Sequence, residues 1–222
     1  MNNDMMVCLK NIPLFENLSS EELSQIGTLF HVKEYKKGES ILKPEDNDQI
    51  ILVKKGRVEF YQISGDGKKF ITELIGPGSL VGRLSNKYQT ERFIEAVDDC
   101  IVYSIEKEKF YNLLNKFPAL SLKLIDQLDS RLMLNQQKLV SLATDDVNKR
   151  LIKLIISLGK AKKSSNQMIT DKFTHEHLSQ LLGISRQTTT IEINNLKKKG
   201  LIKVVKKRFI FNRSKLERLI SK

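Results

Sequence analysis

Short apolar runs separated by turn-forming residues fill the chain from about residue 30 to residue 105. Runs rich in β-branched and aromatic side chains predict strands over 31–35, 41–42, 50–53, 58–63, 70–75, 93–97 and 101–105. The Gly-Asp-Gly sequence at 65–67 is a strong signal for a hairpin between two of these strands. Many short strands at near-regular spacing predict a jelly roll, that is, a double-stranded β-helix.

Helical spacing of apolar residues predicts one helix before the strands and two after them. Ser19 is the expected N-cap of the first helix, which continues with Leu23 and Ile26 on one face. A short helix is predicted over 107–114. A longer helix follows and begins near Pro118, because proline suits the first turn of a helix.

The long helix carries two apolar stripes. One stripe has alternating steps of three and four residues, the spacing of a coiled-coil seam. The seam consists of Ile125, Leu128, Leu132, Asn135, Leu139 and Leu142. The second stripe, Leu120, Leu124 and Leu134, is expected to face the strands. Two stripes favour two packing partners, so we predict a homodimer interface at the seam, the alternative being an ordinary amphipathic helix. Asn135 would fix the register or meet a bound effector.

Two short helical patterns joined at a glycine follow in the C-terminal third. Thr174 is predicted to cap the first helix, Gly183 permits a sharp turn, and Ser185 is predicted to cap the second. The second helix begins with Arg186, Gln187, Thr188, Thr189 and Thr190. In a helix-turn-helix these first residues enter the major groove, where such side chains contact bases, thymine methyl groups and phosphates.

A basic hairpin is predicted after this motif. Lys197 starts a Lys-Lys-Lys-Gly sequence that is expected to end the second helix. Strands are predicted over 201–205 and 209–211, with Lys206 and Lys207 between them. This order indicates a winged helix whose wing tip lies near the phosphate backbone. Upstream, 143–146 is the expected hinge, 147–158 a further helix and 159–167 a polar loop.

The basic residues are concentrated in the same part of the chain. The 222 residues carry a formal net charge of +12. From Arg150 onward, 18 Lys and Arg stand against 4 Asp and Glu, so this part carries +14 and the rest carries −2. The asymmetry indicates a polyanion partner for this part, and with the winged helix-turn-helix it favours double-stranded DNA. We therefore predict an α+β protein with an effector domain over 1–117, a dimerisation helix over 118–142 and a DNA-binding domain over 143–222.

Other classes of protein are disfavoured by what the sequence lacks. No apolar run approaches the roughly 20 residues that span a bilayer, and Met1 is not followed by a signal peptide, so we expect a cytoplasmic protein without a membrane partner. Two cysteines, Cys8 and Cys100, are too few for an iron–sulfur cluster. His175 and His177 point in different directions on a helix, so no metal site is expected. No phosphate-binding loop or nucleophile elbow indicates an enzyme.

Taken together, these motifs resemble the Crp/Fnr family of bacterial transcription regulators. The resemblance covers nearly the full length and includes the stretches 15–23, 35–39, 51–59 and 78–82, the long helix and the winged helix-turn-helix. It implies a cyclic-nucleotide-binding-like barrel, a homodimer, a palindromic operator and, for an activator, contact with RNA polymerase. It also places Arg186, Gln187 and Ile191 at the family's main base-reading positions, where Ile191 replaces a frequent Arg.

The resemblance is weaker in the effector domain. Gly82 is followed by Arg83, where relatives that bind cyclic nucleotide carry the Glu that holds the ribose. The expected effector is therefore a small molecule of unknown identity rather than cyclic AMP. The stretch 78–84 is more similar to a branch whose best-known member senses halogenated phenols. The candidate effector-binding residues are Gly82, Arg83, Leu84, Arg92, Leu132 and Asn135.

Three hypotheses about function follow from these observations. The leading one is a dimeric, sequence-specific transcription regulator, gated by a small molecule in the barrel and holding no cofactor. The second is a DNA-binding regulator that needs no effector or responds to thiol oxidation. The third is a regulatory subunit of an enzyme, which the basic winged helix disfavours.

Overall fold

The computed structural model describes residues 5, 9–43, 46, 48–84, 92–161 and 167–220. The chain divides into two compact units, Met1–Leu132 and Met133–Lys222, whose boundary falls within one continuous helix. Within the described part of the chain, no helix combines the length and the apolar character that a membrane span requires.

The first unit is built mainly from strands. It contains a 3₁₀ turn at Pro13–Phe15 and helix α1 at Ser20–Gly27, which Ser19 caps as predicted by accepting from the Glu22 amide. Its strands are β1 His31–Tyr35, β2 Ser40–Leu42, β3 Gln49–Lys55, β4 Val58–Ile63, β5 Lys69–Ile75, β6 Leu80–Gly82, β7 Phe93–Ala96 and β8 Cys100–Glu106. Helix α2, Lys107–Lys116, leads into the long helix α3, Pro118–Thr144.

The eight strands form two four-stranded antiparallel sheets. One has the order β1-β8-β3-β6 and the other β2-β7-β4-β5. Strands β4 and β5 pair across the predicted Gly-Asp-Gly hairpin. The predicted jelly roll is confirmed, and its seven predicted strands differ from the predicted bounds by at most two residues at either end. Strand β6, which was not predicted, pairs Leu80 and Val81 with β3.

The central strand β3 of the first sheet is buried on both faces. Along β3, Ile50 and Leu52 point into a cluster formed with the helices, while Ile51 and Val53 point into the barrel interior. A strand covered on both faces is a continuous apolar run, because its alternating side chains all lose contact with water. The interior also receives Phe60 from the second sheet.

Helix α3 is fixed to the first unit through its N-terminal turns. Leu120 and Leu124, one turn apart, are buried in the helical cluster, as the second predicted stripe requires. Leu134 is the exception: the side chain is 59% exposed, so its assignment to that stripe is wrong. Leu134 is turned by only about 40° from Leu120, so its exposure follows from its position about 15 Å beyond Leu124 along the helix.

The described part of the second unit contains four helices after α3 and one sheet. Helix α4, Val147–Ser157, is followed by β9 Gly159–Ala161, β10 Gln167–Thr170, α5 His175–Leu182, α6 Arg186–Lys198, β11 Ile202–Val205, β12 Arg208–Asn212 and α7 Arg213–Ile220. The four strands have the order β11-β12-β10-β9. The stretch 159–167 is therefore not entirely a loop, because Met168 pairs with Ala161 and Ile169 with Lys160.

The predicted break between α3 and α4 lies at Asp145 and Asp146. Asp146 caps α4, since its Oδ1 accepts a 2.7 Å hydrogen bond from the Lys149 amide. Asp145 is hydrogen-bonded by the Ser141 hydroxyl and paired with Lys153 at 2.5 Å. The C-terminal helix α7 was not predicted; its Leu216 is fully buried.

Candidate DNA interface and effector site

Helices α5 and α6 form a helix-turn-helix with all three predicted boundary residues in place. The Thr174 hydroxyl accepts from the His177 amide at 3.0 Å, and the Ser185 hydroxyl accepts from the Thr188 amide at 3.0 Å. Gly183 adopts a left-handed conformation, φ 65° and ψ 37°, and ends α5. A residue with a Cβ would be strained there, so glycine fixes the angle between the helices.

The side chains of α6 separate into an inward and an outward face. Thr189, Ile193 and Leu196 recur at helical spacing and are at most 1% exposed. The exposed residues of the helix are Arg186, Gln187, Ile191, Asn194, Lys197 and Lys198. The outward face thus combines a planar cationic donor, amides that can donate and accept, and lysines, which suits contacts with bases and phosphates.

The three consecutive threonines have different environments. Thr189 is fully buried and its hydroxyl donates to the Ser185 carbonyl at 3.1 Å, so its predicted contact with DNA is wrong. Thr190 is half-buried and donates to the Arg186 carbonyl at 2.9 Å. Thr188 is half-buried and shares a 2.8 Å hydrogen bond with the Ser185 hydroxyl. Two threonines therefore remain at the edge of the outward face.

His175 joins the two helices at this surface, a role that the sequence did not reveal. Its Nδ1 lies 2.9 Å from the Thr190 hydroxyl oxygen. Since that hydroxyl donates its proton to the Arg186 carbonyl, the imidazole is the donor in this pair. Desolvation, with the charges of Arg186 and Lys197, lowers the pKa of His175.

The wing is a two-residue hairpin with an unusual backbone. Val205 pairs with Arg208, and the residues between them, Lys206 and Lys207, have φ values of 48° and 64°. Positive φ at both central positions defines a type I′ turn, which ordinarily carries Asn-Gly. Each lysine costs about 1–2 kcal/mol relative to a residue that tolerates this conformation. Both lysines are exposed, as the predicted phosphate contacts require.

In the first unit, an arginine of α3 is bound to the barrel. Arg131 donates to both carboxylate oxygens of Glu73, at 2.9 and 2.6 Å, and to the Leu80 carbonyl at 3.2 Å. Its guanidinium carbon lies 5.6 Å from the centre of the Phe60 ring. A bidentate arginine–carboxylate pair fixes geometry as well as charge. No local sequence pattern predicts this pair, because its partners lie 58 residues apart.

Two predicted effector residues gather at this pair. Arg92 lies 5.1 Å from the centre of the Phe60 ring. Desolvation and the neighbouring Arg131 and Arg83 lower the pKa of Arg92, while the Glu73 carboxylate opposes the shift. Arg83 and Arg92 therefore lie near the contact between α3 and the barrel.

The other predicted effector residues have varied surroundings. Gly82 has φ 138°, and a Cβ there would lie 2.9 Å from the Gln49 carbonyl oxygen, so the pairing of β6 with β3 itself requires glycine. The Leu84 carbonyl accepts a hydrogen bond from the Tyr111 hydroxyl. Leu132 and Asn135 are exposed on α3, and their contact with an effector stays a prediction.

Cys100 is unsuited to thiol chemistry. Its side chain is buried, and Sγ lies 3.2 Å from the Arg57 carbonyl and 3.1 Å from the Asp98 carbonyl. Burial raises the pKa of the thiol, which disfavours the reactive thiolate. Cys8 lies outside the described residues.

Comparison with known proteins assigns the two parts of the chain. Residues 32–117 match the family model of the cyclic nucleotide-binding domain, and residues 149–219 match the family model of the Crp-like helix-turn-helix domain. The chain is 25% identical over 197 residues to the probable transcriptional regulator flp of Lacticaseibacillus casei, covering 88% of this chain and 89% of that protein. It is also 25% identical over 199 residues to the cyclic AMP receptor protein of Thermus thermophilus, covering 88% and 90%.

A solved structure is similar over almost the whole chain. A CooA mutant from Carboxydothermus hydrogenoformans superposes with a TM-score of 0.78 at 25% identity, covering 96% of this chain and 97% of that one. The chain belongs to the Crp/Fnr family of transcription regulators. It is a DNA-binding regulator with an effector-binding domain, which confirms the family and fold predicted from the sequence.

The lowered pKa of His175 predicts a pH dependence of stability. Because folding lowers this pKa, the unfolded chain takes up a proton more readily, and stability is lost as the pH falls below the unfolded value of about 6.5. We expect His175→Gln to reduce the loss of unfolding temperature between pH 7.5 and 5.5, measured by calorimetry.

The matched control is His177→Gln, two residues further along α5, which should retain the pH dependence of the parent chain. Equal pH profiles for the parent chain and His175→Gln would contradict the assignment.

Proposed function

We propose that this chain is a sequence-specific, homodimeric transcription regulator gated by a small molecule other than cyclic AMP. The observation that carries the proposal is the outward surface of the second unit, where α6 and the wing present basic and amide side chains together. Its partner is a palindromic DNA operator and, where the regulator activates, RNA polymerase. Since its partner is chromosomal DNA, we place the protein in the cytoplasm.

The DNA contacts fall into two groups. Arg186 and Gln187 occupy the first turn of α6, where side chains reach base edges. The phosphate contacts come from exposed or half-exposed residues around them. These are Thr174, Ser185, Thr188, Thr190, Lys197, Lys206 and Lys207. The wing lysines support this division, since their strained turn would be easier to form with Asn-Gly and both side chains are exposed.

The proposed dimer interface is the seam of α3. Its five apolar members are between 43% and 66% exposed: Ile125, Leu128, Leu132, Leu139 and Leu142. An apolar row of this length along a helix of about 40 Å favours a second helix against it. A second copy of the same helix covers the row and brings two reading helices together for the two half-sites of a palindrome.

The proposed control point is the contact between Arg131 and Glu73. Both side chains are partly exposed, at 30% and 20%, so a ligand can reach them. An anionic or hydrogen-bonding effector near Arg83 and Arg92 would compete with Glu73 for guanidinium donors. Because Arg131 belongs to α3, such competition would change the helix that carries the seam.

The first test is selection of an operator from random duplexes by the full chain. We expect a palindrome with half-site centres about 34 Å apart. Arg186→Ala should relax the preference at one position and cost about tenfold or more in affinity. Failure to enrich any sequence over bulk DNA would refute the proposal.

Replacement of the two wing lysines is expected to raise the stability of the protein and to lower its affinity for the operator. Lys206→Asn with Lys207→Gly relieves the positive-φ strain of both residues and should raise the free energy of unfolding by about 1–3 kcal/mol, because the greater freedom of glycine in the unfolded chain offsets part of the gain. Affinity for the operator should fall, and the slope of log affinity against log salt should drop by about two to four in the dimer. Lys68→Asn, in the hairpin turn of the first unit, is the control that should leave the slope unchanged.

Charged substitutions in the seam are expected to prevent dimerisation. Leu128→Asp with Leu139→Asp should convert the dimer to a monomer in sedimentation experiments and weaken operator binding at least tenfold, because each carboxylate would be buried in the interface. Leu134→Asp is the matched control, since Leu134 is equally exposed but lies outside the seam. A dimer that survives the double substitution would refute this interface.

The Arg131–Glu73 pair predicts a shared effect of its two partners on DNA binding. Glu73→Gln and Arg131→Gln should each change ligand-free operator affinity at least fivefold, in the same direction, and the double variant should match either single one. Lys123→Gln, which removes a different ion pair of α3 with Glu16, is the control. Additive effects would contradict coupling through the pair. Cyclic AMP should leave the affinity unchanged.

A further inference from the structure

Ile191 stands out on the outward face of α6. Within this helix, all of which the structure describes, it is the one large apolar side chain that is exposed, at 51%. Gln187, Asn194 and the lysines of the last turn surround it on that face. Burial does not explain an isoleucine there, and neither does helix propensity, because β-branched residues are poorer helix formers than alanine.

The helix places Ile191 at the centre of the outward face. It lies two residues from both Thr189 and Ile193, which point into the core, so it is turned about 160° away from each of them. Gln187 lies one turn earlier on the same side, about 6 Å along the axis. That distance is close to two base-pair steps of about 3.4 Å each.

The chemistry of the major groove limits what an isoleucine can contact there. Base edges present hydrogen-bond donors and acceptors, and thymine also presents a C5-methyl group. An isoleucine placed against a donor or acceptor would remove water from it without replacing the hydrogen bond. Against the thymine methyl it buries apolar surface on both sides.

We propose that Ile191 is a specificity-determining residue that reads thymine through its 5-methyl group, within about two base pairs of the base contacted by Gln187. This inference rests on the proposed function, in which α6 enters the major groove. It adds a contact of a different kind from the hydrogen bonds of Arg186 and Gln187.

The test removes the methyl group alone. In the operator selected by the full chain, each thymine of both half-sites is replaced in turn by deoxyuridine, and affinity is measured by fluorescence anisotropy at fixed salt. One position should show a loss of about fourfold per half-site, or about fifteenfold for both, the factor that burial of one methyl-sized group predicts. In Ile191→Ala the same replacement should have no effect.

Gln187→Ala is the matched control on the same face, and it should retain the deoxyuridine penalty at that position. A penalty that persists in Ile191→Ala, or an enriched operator without any methyl-dependent thymine, would overturn this inference and leave the proposed function intact. Failure to enrich any operator would overturn both.

Discussion

The burial of Leu120 and Leu124 is the constraint on which the rest of α3 depends. Each leucine contributes about 2–3 kcal/mol by leaving water, and together they fix which side of the helix faces the barrel. Once that direction is fixed, the helical repeat decides where every later side chain points. It directs Arg131 to Glu73, and it leaves the leucines of the seam in solvent. The same helix thereby carries the contact of Arg131 with Glu73 and the exposed apolar side chains of the seam.

Most of the fold could be predicted because its signals are local. Strands between strong turn residues, the caps Ser19, Thr174 and Ser185, and the left-handed Gly183 depend on a few neighbouring residues each. The errors arose where local signals are weak. Strand β6 has only three residues, and β9 is a Gly-Lys-Ala segment whose pairing with β10 no apolar pattern announces.

The sites were harder to predict because their geometry is set by packing. Thr189 is as polar in sequence as Thr188, yet it shares the inward face with Ile193 and Leu196. The contact of Arg131 with Glu73 joins distant parts of the chain, and periodicity carries no information about such a pair. The left-handed backbone of the wing is also hidden, because lysine is not a residue that normally signals a type I′ turn.

The division of α6 into two faces has an evolutionary consequence. Core residues such as Ile193 hold the helix in place, whereas Arg186, Gln187 and Ile191 are exposed. Exposed substitutions usually change stability by no more than about 0.5 kcal/mol, so these three positions can vary almost independently of folding. After duplication of the gene, a paralogue could therefore acquire new target genes by a few substitutions on one helix face, without passing through unstable intermediates.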